Sequence, residues 1–165
     1  MRNFILAAIV ALVSIQAAAQ DYKSIYEKYS DDDRVTGVYI SPAMFKMIGK
    51  LPEVKVEDND LDLAPMIKSM TGFYMLQTED ASIAEKISKE IGKVTSGKKY
   101  ETLMEVKEKG QKVNIMSLGD EKFLKSLLLT VFNKDDGETV FIGIDGLMSR
   151  SDVEEAMSVA SKELF

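Results

Sequence analysis

Apolar and polar positions change period along the chain, and the changes mark its elements. Tyr22, Ile25, Tyr26 and Tyr29 fall at i, i+3, i+4 and i+7, which predicts a short helix over 21–29. VTGVYI (35–40) is β-rich and reads as a strand. Ser41 and Pro42 then have the chemistry of an N-cap and a first helical residue, with Met44, Phe45, Ile48 and Leu51 on the apolar side. A charged connection, 53–60, leads to a second short helix predicted over 61–70, with Leu63, Met66, Ile67 and Met70 on one side.

GFYMLQT (72–78) is the next strand, and Thr78 or Asp80 caps the helix after it. Ile83, Ala84, Ile87 and Ile91 share a face of that helix, and Gly92 follows where a left-handed C-cap glycine belongs. From Tyr100 the period is two: Tyr100, Thr102, Met104 and Val106 alternate with Glu101, Leu103, Glu105 and Lys107. Turn residues at 109–110, 119–120 and 133–137 separate three further strands, 112–118, 123–132 and 138–144. Ser151 and Glu154 have capping-box spacing and open a last helix on Val153, Ala156, Met157, Ala160 and Leu164.

The order is α-β-α-α-β-α-β-β-β-β-α. It predicts an α+β fold: a single, mostly antiparallel sheet of about six strands, with helices packed largely on one face. The last two strands are apolar on both faces, which places them centrally in the sheet.

The N-terminal stretch changes the expected location. Arg2 precedes an apolar run, Phe4–Ile15, that is too short to span a bilayer, and Ala17–Ala19 supply small residues for cleavage. Residues 1–19 are therefore expected to be a signal peptide, leaving one domain over 20–165. Its location would be periplasmic or extracellular, with no transmembrane segment. The chain carries a formal net charge of −6 at pH 7, and loss of Arg2 makes it more negative. This argues against a general nucleic-acid partner, which needs a basic footprint.

The sequence has no His, Cys or Trp. That excludes Ser-His-Asp and Cys-His catalysis, zinc held by imidazole or thiolate, and lipidation of a cysteine at the cleavage point. Carboxylate, Lys and Tyr chemistry, Ser–Lys pairs and oxygen-bound cations remain open.

Several motifs invite a sharper reading. GKVTSGKK (92–99) nearly matches a phosphate-binding loop, through Gly92, Gly97 and Lys98. Such a loop follows a strand and opens a helix, whereas this one follows a helix and precedes a strand. Lys99 also stands where the metal-binding hydroxyl is needed. Ser96 and Lys99 match S-x-x-K, a nucleophile spacing that requires a helix, without clear partner motifs. Asp58, Asp60 and Asp62 alternate like the start of a calcium loop, but Leu63 and Ser69 occupy the positions that need Gly and Glu. Asp31–Asp33 is a plain acidic run.

Met44, Met47, Met66 and Met70 could offer thioethers to a soft metal. The helical pattern already requires Met44, Met66 and Met70 to be apolar, which leaves Met47 as the one to be exposed. The tyrosine stripe of the first helix could form a ligand platform, although core packing accounts for it. No catalytic, cofactor-binding or metal-binding residue is singled out, and no cofactor is expected.

The order of several stretches carries a resemblance: YEKYSDDDRVTGVYISPAMFKMIG, GFYMLQTED before a helix, YETLMEVKEKGQKVNIM, SLLLTVF, and a final strand–helix unit. Together with the signal peptide they resemble the small exported proteins of Bacteroidetes-type bacteria grouped as domain-of-unknown-function family 4252. The resemblance implies a compact α+β fold and an envelope location, with a link to extracytoplasmic sigma-factor signalling. It supplies no reaction and no site residue. The expected function is a non-enzymatic binding or regulatory module that meets another envelope protein. Two alternatives stay open. One is a carrier of lipid or metal with a pocket between the sheet and the Met-rich helices. The other is a carboxylate-based hydrolase.

Overall fold

The computed structural model describes residues 21–48, 64–97 and 100–164, with side chains through Ser158. The signal-peptide stretch, Asp58, Asp60, Asp62, Leu63, Lys98 and Lys99 lie outside the described residues.

The element order is the predicted one: α1 (Tyr22–Tyr29), β1 (Thr36–Ile40), α2 (Pro42–Ile48), α3 (Ala64–Ser69), β2 (Met70–Thr78), α4 (Ala81–Gly97), β3 (Tyr100–Glu108), β4 (Gln111–Gly119), β5 (Phe123–Asn133), β6 (Thr139–Ser149) and α5 (Arg150–Leu164). The six strands pair antiparallel in the order β1-β2-β6-β5-β4-β3. The two strands expected at the centre, β5 and β6, are there. The β3–β4 turn has positive φ at both Lys109 (41°) and Gly110 (90°), the twist a tight hairpin needs.

Helix starts follow their capping chemistry. The Asp21 carboxylate accepts from the Ser24 amide at 3.0 Å, and Ser41 Oγ accepts from the Met44 amide at 3.3 Å. Asp80 caps α4 through the Ile83 amide at 2.9 Å. Thr78 Oγ1 accepts from the Asp80 amide and donates to the Arg34 carbonyl, tying β2 to the turn before β1.

The helices are shared between both faces of the sheet rather than gathered largely on one. On the first face, Tyr22, Ile25 and Tyr29 of α1 and Ile83, Ile87, Ile91 and Val94 of α4 pack on Tyr74, Leu76, Phe141 and Leu128. On the second face, Phe45 of α2, Met66 and Ile67 of α3 and Val153 of α5 pack with Ile40, Phe73, Ile144 and Leu127. Strands that are apolar on both sides need cover on both, and burying that surface is the main stabilising term.

Four local expectations are corrected. Gly92 does not end α4, which runs on to Gly97. Val94 extends the buried stripe of Ile83, Ile87 and Ile91, so the apolar face holds the helix past the glycine. Thr95 Oγ1 also bonds back to the Ile91 carbonyl at 3.0 Å. The helix expected over 61–70 gives way at Met70, which opens β2 and is buried there. Ser151 does not cap α5: β6 passes directly into the helix at Arg150, so Ser151 lies within the first turn. Finally, the even alternation of β3 is broken at Leu103, between the pairs Thr102–Met116 and Met104–Ile115. This bulge moves Met104 and Val106 to the face opposite Tyr100 and Thr102.

Candidate binding surface

Pairing register builds a row of side chains across the whole sheet. Val38 lies opposite Met75, Met75 opposite Ile142, Ile142 opposite Leu129, Leu129 opposite Ile115, and Ile115 opposite Met104. All six are apolar, and all are partly exposed. The next row on the same face is Thr36, Gln77, Val140, Val131, Val113 and Val106, whose four valines are also partly exposed.

These rows lie beside the part of the second face that carries helices. Ile40, Phe73, Ile144 and Leu127 form the adjoining row and belong to the helix-packed cluster. Among the described residues, the hydrophobic cluster built with α2, α3 and α5 takes in that row and none of the side chains of the two rows beside it. Five interstrand steps make these rows about 24 Å wide. A side chain from each of six strands is needed to make the surface, so no single sequence motif announces it.

The motifs singled out from sequence fall elsewhere. Gly92 and Ser96 are helical, which removes the backbone nest a phosphate loop requires. Ser96 is thus helical rather than part of a Gly-containing loop; Lys99, the other residue of the S-x-x-K match, lies outside the described residues. Within the acidic run, Asp32 is engaged by Arg34, with Nη2 at 2.8 Å and Nε at 2.9 Å. Hydrogen bonds from the Arg34 side chain and amide, helped by its charge, hold the Asp32 carboxyl down at about 2. Arg34 also reaches Asp80 at 3.3 Å, so this cluster braces the start of α4. Among the described residues, no three acidic side chains form a metal-holding group.

The methionines separate. Met70 is buried and Met66 half-buried, while Met47 is 65% exposed and Met44 48% exposed. Exposure of Met44 corrects its expected place in the core. α2 is short and buries only Phe45. The tyrosine stripe is core, as its spacing predicts: Tyr22 and Tyr29 are buried. Tyr39 stacks on Tyr74 with ring centres 5.2 Å apart and planes 20° apart, and Tyr26 packs against both.

One groove does gather carboxylates: Glu101, Asp120 and Glu121 line it with Arg150. Glu101 is held below its ordinary value by a hydrogen bond and charge from Arg150. Asp120 is held down by the amides of Phe123 and Lys122, each at 2.9 Å. A carboxylate hydrolase needs one acid raised so that it can donate a proton. Glu101 and Asp120 are both shifted the other way, as suits a structural brace between β3, the β4–β5 turn and α5.

No described helix is long and apolar enough to cross a membrane. Residues 26–156 match the family model described as Domain of unknown function (DUF4252). No curated protein and no solved structure matches the chain.

Proposed function

The chain belongs to the DUF4252 family, and we propose that it is a non-enzymatic binding module of the cell envelope, exported by residues 1–19 and docked to another envelope protein through the second face of its sheet. One observation carries the proposal: the unbroken apolar row Val38–Met75–Ile142–Leu129–Ile115–Met104, with four valines beside it, partly exposed across six strands. Isolated exposed apolar side chains are ordinary, but a contiguous apolar surface of this width marks an interaction site. The occupant is a polypeptide because the surface is broad and spans a sheet, whereas small ligands are enclosed by concave sites. A regulatory role in envelope signalling is the process in which such a module would act.

The depressed carboxyls of Glu101 and Asp120, and a sequence without His or Cys, favour binding over catalysis. Leu129→Lys and Ile142→Lys variants, checked for fold by circular dichroism, test the reading by co-purification from the native envelope. Wild type should retain a defined partner that both folded variants lose at least tenfold. Equal recovery by all three would overturn the docking face.

A further inference from the structure

We propose that the partner seats a single basic amphipathic helix of about 16 residues across the two apolar rows, with its Lys or Arg flank over the row Glu108, Gln111, Asn133 and Glu138. This rests on the docking reading above and adds the shape and the charge of what docks.

The dimensions select one helix. Neighbouring rows on one face of a strand are two residues, about 7 Å, apart, so the two rows make a strip about 14 Å across and about 24 Å long. A helix with its side chains is about 10–12 Å thick, and at 1.5 Å per residue about 16 residues run the length of the strip. One helix fits the width and two do not.

A strand does not suit the same surface. The strip lies on the face of the sheet, and its inner strands already pair on both sides. An added strand joins at a sheet edge, whereas an apolar face is covered by the apolar stripe of a helix. The adjoining row of this face is packed in that way, against side chains of α2, α3 and α5.

The charge comes from the far rim. Beyond Val106, Val113, Val131 and Val140, two residues along each strand on the same face, stand Glu108, Gln111, Asn133 and Glu138. Two are carboxylates, and none is Lys or Arg. Glu138 accepts from the neutral Gln77 amide, which leaves its charge uncompensated there. Lys109 lies 3.8 Å from Glu108 in an exposed pair, which screens weakly. The neighbouring turns hold Lys109 and Lys134 against Asp135 and Asp136, which balance. The strand lysines nearest the rim, Lys107 and Lys112, pair at the alternate positions and belong to the other face. With a formal charge of −6 on the whole chain, a second copy would meet like charge, and a cationic helix meets the opposite one.

Two labelled 16-residue helical peptides test this, both with leucine at i, i+3, i+4 and i+7 and so on, one with lysine and one with glutamate elsewhere. Fluorescence anisotropy gives their affinities for the purified protein, and methyl chemical shifts give their position. The lysine peptide should bind one to one, shift Ile142, Leu129, Val131 and Val140 saturably, and bind at least tenfold more tightly than the glutamate peptide at low salt. Leu129→Lys, or Ile142→Lys if the first does not fold, should abolish binding. Glu108→Gln with Glu138→Gln should weaken the lysine peptide at least threefold, and Glu27→Gln with Glu85→Gln, on helices of the first face, should leave it unchanged. No saturable shift at these methyls, equal affinity of the two peptides, or equal effects of the two double variants would overturn the basic helix. The docking face itself would then still stand or fall on co-purification with Leu129→Lys and Ile142→Lys, so the two failures are told apart.

Discussion

The ring of Tyr22 lies directly on the backbone of Gly143: a Cβ on that glycine would come within 2.3 Å of the tyrosine Cδ1. Gly143 is in the middle of β6, between Tyr74 of β2 and Leu128 of β5. The missing side chain is what lets α1 settle onto a central strand. Gly143→Ala should therefore lower stability by about 3 kcal/mol, the upper end of the cost of overpacking a core. The check is a urea melt whose midpoint falls while its slope is kept. An unchanged midpoint would mean that α1 docks differently.

The same tyrosine carries an unused polar atom. Tyr22 is 3% exposed, and its hydroxyl has no hydrogen-bond partner. Burial pushes that hydroxyl well above the ordinary tyrosine value. Tyr22→Phe keeps the ring on Gly143 and removes the orphan, so stability should rise by about 1 kcal/mol. A fall of that size in the melt would reveal a partner for the hydroxyl.

Gly92→Ala should be stabilising. Read from sequence as a helix stop, Gly92 would lose stability on gaining a Cβ. It is instead interior to α4, without positive φ and with open space around its Cα. Alanine there should add about 0.5–1 kcal/mol, the difference in backbone entropy between the two residues in a helix. A lower thermal midpoint would restore the C-cap.

Acid should loosen the α1–α4 contact through Glu90. Its carboxylate accepts from the Tyr29 hydroxyl at 2.9 Å and pairs with Lys28. Burial alone would raise Glu90, but the hydrogen bonds from Lys28 and Tyr29 and the lysine's charge outweigh it, so it sits below its ordinary 4.5. A depressed carboxyl stabilises the fold above its unfolded value and loses that contribution as pH falls through the folded value. Wild type should therefore lose more stability than Glu90→Gln as pH drops below about 4.5. Urea midpoints at pH 6 and pH 3 measure this, and parallel losses would exclude the linkage.

Much of the fold is legible because local chemistry and periodicity agree. Asp80 before Ile83, Ser41 with Pro42, and Lys109-Gly110 between two alternating runs each locate a boundary. The β5 and β6 runs are apolar at every parity, which locates the sheet's centre. Misread positions are those where a local signal was weaker than its surroundings: Gly92 against the stripe continued by Val94, and Ser151 against a strand that enters its helix with no linker. The surfaces are hidden for a different reason. The Leu103 bulge decides the face of Met104, and the row from Val38 to Met104 exists only once β6, late in the chain, pairs with β2.

A protein seated on the second face of the sheet would lie within reach of Ile142, Leu129 and Ile115. The most direct measurement is photo-crosslinking in the producing cell, with the reactive side chain placed at Ile142, Leu129 or Ile115 and, as controls, at exposed Lys89 of α4 and Lys125 of β5. One discrete crosslinked species, shared by the three sheet positions and absent from both controls, is the expected result. Crosslinks from the controls and none from the sheet positions would contradict it.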